Sequence, residues 1–258
     1  MSAKTEPAIP VEEIADHERC NAIGWPAETV EHHFGWKLRY NGGVTRRANS
    51  VLPIEAGGAL SLDVRILSAE HFYRKHNLAA CFMISPAARP EGLDAALESR
   101  GYRVEGGSLV QGAEIATVQA IRGSDAEIVL SRDLTDSWRA GYLEGEGADR
   151  RRKITGIMQR ISSAKRFAVA LEGDVPVAVG LGLLIDRRMI LLGMQTSPSH
   201  RRAGHGAAIA KALAGWAAES GATRAILQVE SDNDAAMALY AKAGYRTLNG
   251  YHYRVAGE

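Results

Sequence analysis

The stretch Ser197-Pro198-Ser199-His200-Arg201-Arg202-Ala203-Gly204-His205-Gly206-Ala207 holds the residues best suited to chemistry. It lies between an extended apolar run ending near Thr196 and an alanine-rich run whose Ile209, Leu213 and Trp216 share one helical face. A strand that delivers the chain into a glycine-bearing loop at a helix N-terminus leaves several backbone N–H groups unpaired and converging, an arrangement that suits phosphate oxygens. Glycine lets the backbone approach an anion where a Cβ would block it. A plain strand-to-helix turn would use the same glycines, and their spacing alone does not decide between the two. The loop is not a dinucleotide fingerprint, because a third glycine is missing and no parallel βαβ unit opens with it. It is not a Walker loop either, which needs Gly-Lys-Ser/Thr.

Any anion site must be local, because the 258 residues carry 31 Lys and Arg against 30 Asp and Glu, a formal net charge of +1. That balance gives no reason to expect nucleic acid or an anionic membrane as a partner. Cys20 and Cys81 are too few for a disulfide framework, and a reducing, cytoplasmic setting is expected. His32-His33 and His200 have no partners at metal-ligand spacing, so surface placement and no metal are expected. The run Asp149-Arg150-Arg151-Arg152-Lys153 reads as a solvated helix start, and Trp216 as core. Met1 to Pro10 reads as a disordered lead without a signal core, and no apolar run approaches the roughly 18 residues of a membrane span.

The surrounding pattern supplies elements to hold the loop. Residues 126–130 predict a strand, and a helix runs through Trp138 and Tyr142. Phe167–Leu171, Val175–Ile185 and Met189–Gln195, separated by the turns Glu172-Gly173-Asp174 and Asp186-Arg187-Arg188, predict an antiparallel meander that feeds the loop. Gly221 ends the alanine-rich helix, Ala225–Glu230 is a strand, and Met237, Leu239 and Tyr240 lie on a helix stopped by Gly244. In the first half, Val11, Ile14 and Ala15 start a helix broken by Trp25-Pro26. Gly35–Tyr40 alternates into Asn41-Gly42, predicting a hairpin turn there with Val44 resuming the strand. A helix is predicted to open at Pro86 and Pro90 and to stop at Gly101.

The length favours two domains. The segments LESRGYRVEGGSLVQ and LYAKAGYRTLNGYHYR share a helix, a glycine stop and a Tyr-Arg strand entry, which suggests an internal repeat. The boundary is placed near residue 118, give or take about ten residues, dividing the chain into 1–118 and 119–258.

Residues 119–258 resemble the GNAT superfamily of acyl-CoA-dependent N-acyltransferases. Arg201-Arg202-Ala203-Gly204-His205-Gly206 fits the family's Gln/Arg-x-x-Gly-x-Gly/Ala loop, and Pro198 stands where the family's preceding strand ends. Downstream, Asn233, Ala236, Leu239, Tyr240, Gly244 and Tyr245 fall on its Asn-x-x-Ala-x-x-Leu-Tyr-x-x-x-Gly-Phe/Tyr pattern. The resemblance implies an α/β fold with a mixed antiparallel and parallel twisted sheet flanked by helices. It implies acetyl-CoA as co-substrate and an amine as acceptor. The first 118 residues would then be a degenerate GNAT-like copy, in which Gly42-Gly43-Val44-Thr45-Arg46-Arg47-Ala48-Asn49-Ser50 could line the acceptor pocket or cap a turn.

The same resemblance assigns roles. Acyl-CoA would lie where the strand ending near Thr196 and the strand Ala225–Glu230 splay apart. Backbone N–H groups from Arg202 through Ala203, Gly204, His205 and Gly206 to Ala207 would take the pyrophosphate, with Arg201 and Arg202 adding charge. Backbone N–H near Met194, Gln195 and Thr196 would meet the thioester carbonyl, and Tyr240 would donate its phenolic proton to the CoA sulfur. His205 is expected to contribute backbone only. Asn233 would contact the pantetheine arm or act as an N-cap. Many relatives carry Glu where Gln228 stands, and Gln cannot take a proton, so Glu230, a water chain or a low-pKa amine is left for that step. A non-catalytic acyl-CoA sensor is the reading from another class that Gln228 keeps open.

Overall fold

The computed structural model describes residues 9 to 257, so the lead expected to be disordered lies, through residue 8, outside the described residues. The first part of the chain forms α1 (Val11–Gly24), β1 (Thr29–His33), β2 (Trp36–Tyr40), β3 (Val51–Leu52), α2 (Leu62–Lys75), β4 (Cys81–Ile84), α3 (Leu93–Ser99) and β5 (Arg103–Glu114). There follow α4 (Ile115–Gln119), β6 (Glu127–Ser131), α5 (Asp136–Tyr142), α6 (Ala148–Arg160), β7 (Ala164–Glu172), β8 (Val175–Ile185) and β9 (Arg188–Thr196). The chain ends with α7 (His205–Glu219), β10 (Arg224–Glu230), α8 (Asp234–Lys242) and β11 (Arg246–Val255). This is the expected α/β class with a mixed sheet.

The chain divides into two compact units. One takes the residues up to Leu109 and then takes back the chain from Leu248 onward; the other is Val110–Thr247. The first division falls between Leu109 and Val110. The return of the last strand to the first unit was not expected, because a strand's partners are chosen by distant residues.

In the first unit the strand order is β1-β2-β3-β4-β11-β5. The hairpin turns at Phe34 and Gly35, both at positive φ, and pairs β1 with β2. Asn41-Gly42 is therefore not the hairpin turn. It opens a loop held by Asn49, whose Oδ1 accepts from the N–H of Asn41 and Gly43 at 2.8 and 2.9 Å while its amide donates to the carbonyls of Val44 and Thr45. The third helix starts only at Leu93, after a left-handed Gly92, because two prolines forbid the helical hydrogen bonds its predicted start required. Trp36, Leu38, Ile66, Phe72, Tyr73, Phe82, Leu93 and Leu97 make the core.

In the second unit the order is β5-β10-β9-β8-β7-β6, with β6 to β9 forming the antiparallel meander and β9 pairing in parallel with β10. α7 is drawn close to β8 because Gly180 and Gly182 present no Cβ. One at Gly180 would stand 2.5 Å from Ile209 Cγ2. Trp216 is half-buried, with the Arg166 guanidinium 5.1 Å from its ring centre. On α6, Asp149 binds Arg152 and Lys153, and Arg150 binds Glu146, so the basic run is a salt-bridged helical surface. The two halves of the chain share an order of elements: β3-α2-β4-α3-β5 in the first and β9-α7-β10-α8-β11 in the second, with parallel pairing of β3 with β4 as of β9 with β10.

Candidate active site

The parallel pairing of β9 with β10 runs from Arg188↔Arg224 to Leu191↔Leu227 and stops. Beyond it, residues 192–196 keep their pairing with β8, where Gln195 faces Val179 and Thr196 faces Ala178, while Gln228, Val229 and Glu230 diverge. The cause is local. Gly193 takes φ +58, and two residues, Gly193 and Met194, stand opposite Gly180, a bulge that bends β9 away from its parallel neighbour. Trp138 fixes the bulge from one side, with Nε1 donating to the Gly180 carbonyl at 2.8 Å and its ring 3.2 Å from where a Gly193 Cβ would stand. Met194, Gln195 and Thr196 are half-buried along this open edge.

α7 begins at the mouth of the opening. Its N-cap is Gly204 at φ +90, which has no side chain to satisfy the first-turn donors, so the N–H groups of His205, Gly206 and Ala207 have no helical acceptor. The first-turn backbone is thus suited to an anion, and the partial positive end of the helix adds to it. A Cβ on Gly206 would meet Leu239 Cδ2 at 3.0 Å, Met194 Cε at 3.9 Å and Thr196 Oγ1 at 4.0 Å, so the first turn of α7, α8 and the end of β9 converge there. Arg201, Arg202 and Ala203 are exposed just ahead of the turn, with Arg202 at φ +64.

His205 departs from the expectation of backbone contact alone. Its side chain is 2% exposed. Nδ1 shares a 2.9 Å hydrogen bond with Ser124 Oγ, and Nε2 lies 3.1 Å from Glu172 Oε1, close enough for an ion pair but out of line for a hydrogen bond. Ser124, 81 residues away, also donates its backbone N–H to the Gly204 carbonyl at 3.2 Å. The preceding Gly123 permits this: a Cβ there would stand 2.5 Å from the Ala208 nitrogen. No spacing in the sequence links these residues; a Gly-Ser pair after Arg122 is the only local sign of a turn.

On α8, Asn233 acts as the N-cap, its Oδ1 accepting from Ala236 N–H at 3.1 Å. Tyr240 is buried, its ring 5.6 Å from that of Tyr245, and burial pushes its phenol up to about 12. It therefore keeps its proton. Gln228 is the first residue of β10 beyond the parallel pairing, and its Oε1 is buried without a partner among the described residues. Glu230, the candidate base, sits exposed at the strand's end. Among the described residues no three His, Cys, Asp or Glu side chains converge as metal ligands, and no helix is long and apolar enough to cross a membrane.

A parallel strand pair that splays beside an uncapped helix start defines the class: this is the fold of the GNAT N-acetyltransferases. A GCN5-related N-acetyltransferase from Kribbella flavida superposes over 96% of both chains with a TM-score of 0.70 and 17% identity. A tandem GNAT protein from the clavulanic acid biosynthesis pathway does so over 75% of this chain and 69% of its own, with a TM-score of 0.60 and 13% identity. The chain belongs to the acetyltransferase family whose model, described as "Probable histone acetyltransferase Rv0428c C-terminal", matches residues 11–254, and it is an acyltransferase of the GNAT kind. It is 31% identical over 249 residues to the "Uncharacterized N-acetyltransferase YobR" of Bacillus subtilis (strain 168), covering 95% of this chain and 99% of that one.

Proposed function

We propose that the protein transfers the acetyl group of acetyl-CoA to a primary amine of a small molecule or amino acid, by direct attack in a ternary complex. The observation that carries this reading is the glycine-capped start of α7 beside the divergence of β9 and β10. The first-turn amides and Arg201 and Arg202 would hold the pyrophosphate, and the thioester would enter the opening. There the neutral amine nitrogen forms a bond to the acetyl carbon, the C–S bond breaks, the nitrogen gives up one proton and keeps the other as the amide N–H, and the departing sulfur takes one proton up.

Backbone N–H on the β9 edge near Met194 to Thr196 would stabilise the negative charge on the thioester oxygen during attack. Tyr240 would steady the leaving sulfur. A phenol near 12 facing a thiol near 8.5 makes full proton transfer uphill by about 5 kcal/mol, so Tyr240 acts through a hydrogen bond and the proton comes finally from water. Gln228 stands where a carboxylate base would be, and the exposed Glu230 or water is left to receive the amine's proton.

We infer further that the first unit is a degenerate GNAT-like copy that does not bind acyl-CoA. Its helix α2 corresponds in order to α7, but Ser61 caps it, accepting from Val64 N–H, where α7 has an empty glycine cap. Arg65 closes the loop ahead of it, donating to the Ala56 carbonyl at 2.5 Å and lying 4.2 Å from the Trp36 ring centre.

The test is calorimetric titration with acetyl-CoA beside a Gly206→Val variant, which keeps a helical backbone but fills the space facing Leu239 and Met194. Saturable binding in the parent, weakened at least about 10-fold in the variant, is the expected result. Thiol release is then followed over a panel of amines, amino acids and a histone-tail peptide, the last because the matching family's description names histones. Absence of acetyl-CoA binding by the parent sinks the reading.

A further inference from the structure

A surface cavity of about 580 Å³ opens beside the first turns of α7, outside the strand divergence. Arg122, Ser124 and Asp125 form one wall, Ile128 of β6 another, and Ala208 and Lys211 of α7 the floor. The 122–125 wall is fastened in place: Ser124 holds the Gly204 carbonyl and the His205 ring, and Gly123 packs against the Ala208 backbone with no room for a Cβ. Arg122 and Lys211 come from segments far apart in sequence and make no ion pair with any described residue, Asp125 included. Two cations against the single carboxylate of Asp125 leave the lining with a net positive charge, which suits an anion.

Its position sets the kind of anion. Lys211 is six residues beyond His205, about 9 Å along a helix rising 1.5 Å per residue, so the cavity lies within the length of one nucleoside of the turn that would take a pyrophosphate. Acyl-CoA carries, beyond its pyrophosphate, an adenosine with a phosphate monoester on the ribose 3′ oxygen, a group with close to two negative charges at neutral pH. We propose that this cavity holds the adenosine 3′-phosphate end of acetyl-CoA, with Arg122 and Lys211 on the monoester and Ile128 and Ala208 against the nucleoside. The inference rests on the acyl-CoA reading above. It adds that the protein distinguishes the 3′-phosphorylated carrier from its dephosphorylated form, and that residues 122–125 belong to the donor site.

The experiment compares CoA with 3′-dephospho-CoA by calorimetry on the full chain and on an Arg122→Gln/Lys211→Gln double variant. Both positions are exposed, and a thermal melt verifies that the variant folds. The expected result is that the parent binds CoA at least about 10-fold more tightly than dephospho-CoA, and that the variant loses this difference by weakening CoA while leaving dephospho-CoA unchanged. Equal affinity of the parent for the two ligands overturns the proposal and leaves the acyl-CoA reading standing. So does a variant that loses both ligands equally or keeps the parent's discrimination. Failure of the parent to bind either ligand overturns both readings.

Discussion

Tyr240 and Glu18 are two buried titratable groups with opposite consequences. Because burial raises the Tyr240 phenol to about 12, its proton stays in place throughout the working range, and this group should put no descending limb into the turnover–pH profile below pH 10. Tyr240→Phe is expected to slow turnover roughly 100-fold while acetyl-CoA affinity stays within about 2-fold, as steady-state kinetics and calorimetry would report. Glu18, in the first unit, matters for stability. It is 2% exposed, and burial raises its carboxyl from 4.5 to about 7, although Ser85, Arg39 and Arg19 lie close enough to favour the charged form. Neither of its oxygens has a hydrogen bond of good geometry among the described residues. A folded-state value above the unfolded one means that this group's contribution is fully present below pH 4.5 and is lost as pH rises through 7. The gap corresponds to about 3 kcal/mol. Chemical denaturation should therefore show stability falling between pH 5 and pH 8, and Glu18→Gln should flatten that slope.

At the scale of elements, the site depends on one bulge and two differently capped helices. Gly193 has φ +58, and a Cβ there would approach the Trp138 ring to 3.2 Å, so Gly193→Ala should cost about 1–2 kcal/mol and pull the end of β9 toward straight pairing. Weaker acetyl-CoA binding should accompany the lost stability, read by denaturation and calorimetry on the same variant. Asn233→Ala removes the α8 cap and should cost about 1 kcal/mol. α7 behaves differently. Its cap is already empty, which leaves its first-turn donors to a ligand, and the glycine that makes this possible also lets the Arg122–Asp125 crossover lie against the helix. The meander, the glycine-stopped helices and the loop were all legible from period and punctuation. The 34–35 turn was not, because a Phe-Gly pair is a weaker turn signal than the Asn-Gly pair at 41–42, and Asn49 decided how that second glycine segment was used.

For the whole molecule, the exchange of the last strand governs what can be cut. β11 pairs with β4, from His252↔Ile84 to Val255↔Cys81, so residues from Leu248 on complete the first unit. A fragment starting at residue 119 leaves that strand without its partners and takes β5 from beside β10. Such a fragment should be poorly soluble or show rapid amide exchange in β11, whereas separate well-folded halves would contradict the assignment. The sequence by itself determined the class, the glycine-bearing loop that leads into α7 and the helix stopped at Gly244, because hydrophobic period, glycine stops and motif spacing are local properties of the chain. Tertiary structure alone decided which unit owns β11, where the β9 and β10 pairing stops, that His205 lies between Ser124 and Glu172, and that Arg122 and Lys211 line one cavity. Each of these joins residues dozens to more than a hundred positions apart, and their juxtaposition is set by sheet order and packing, which no local pattern encodes.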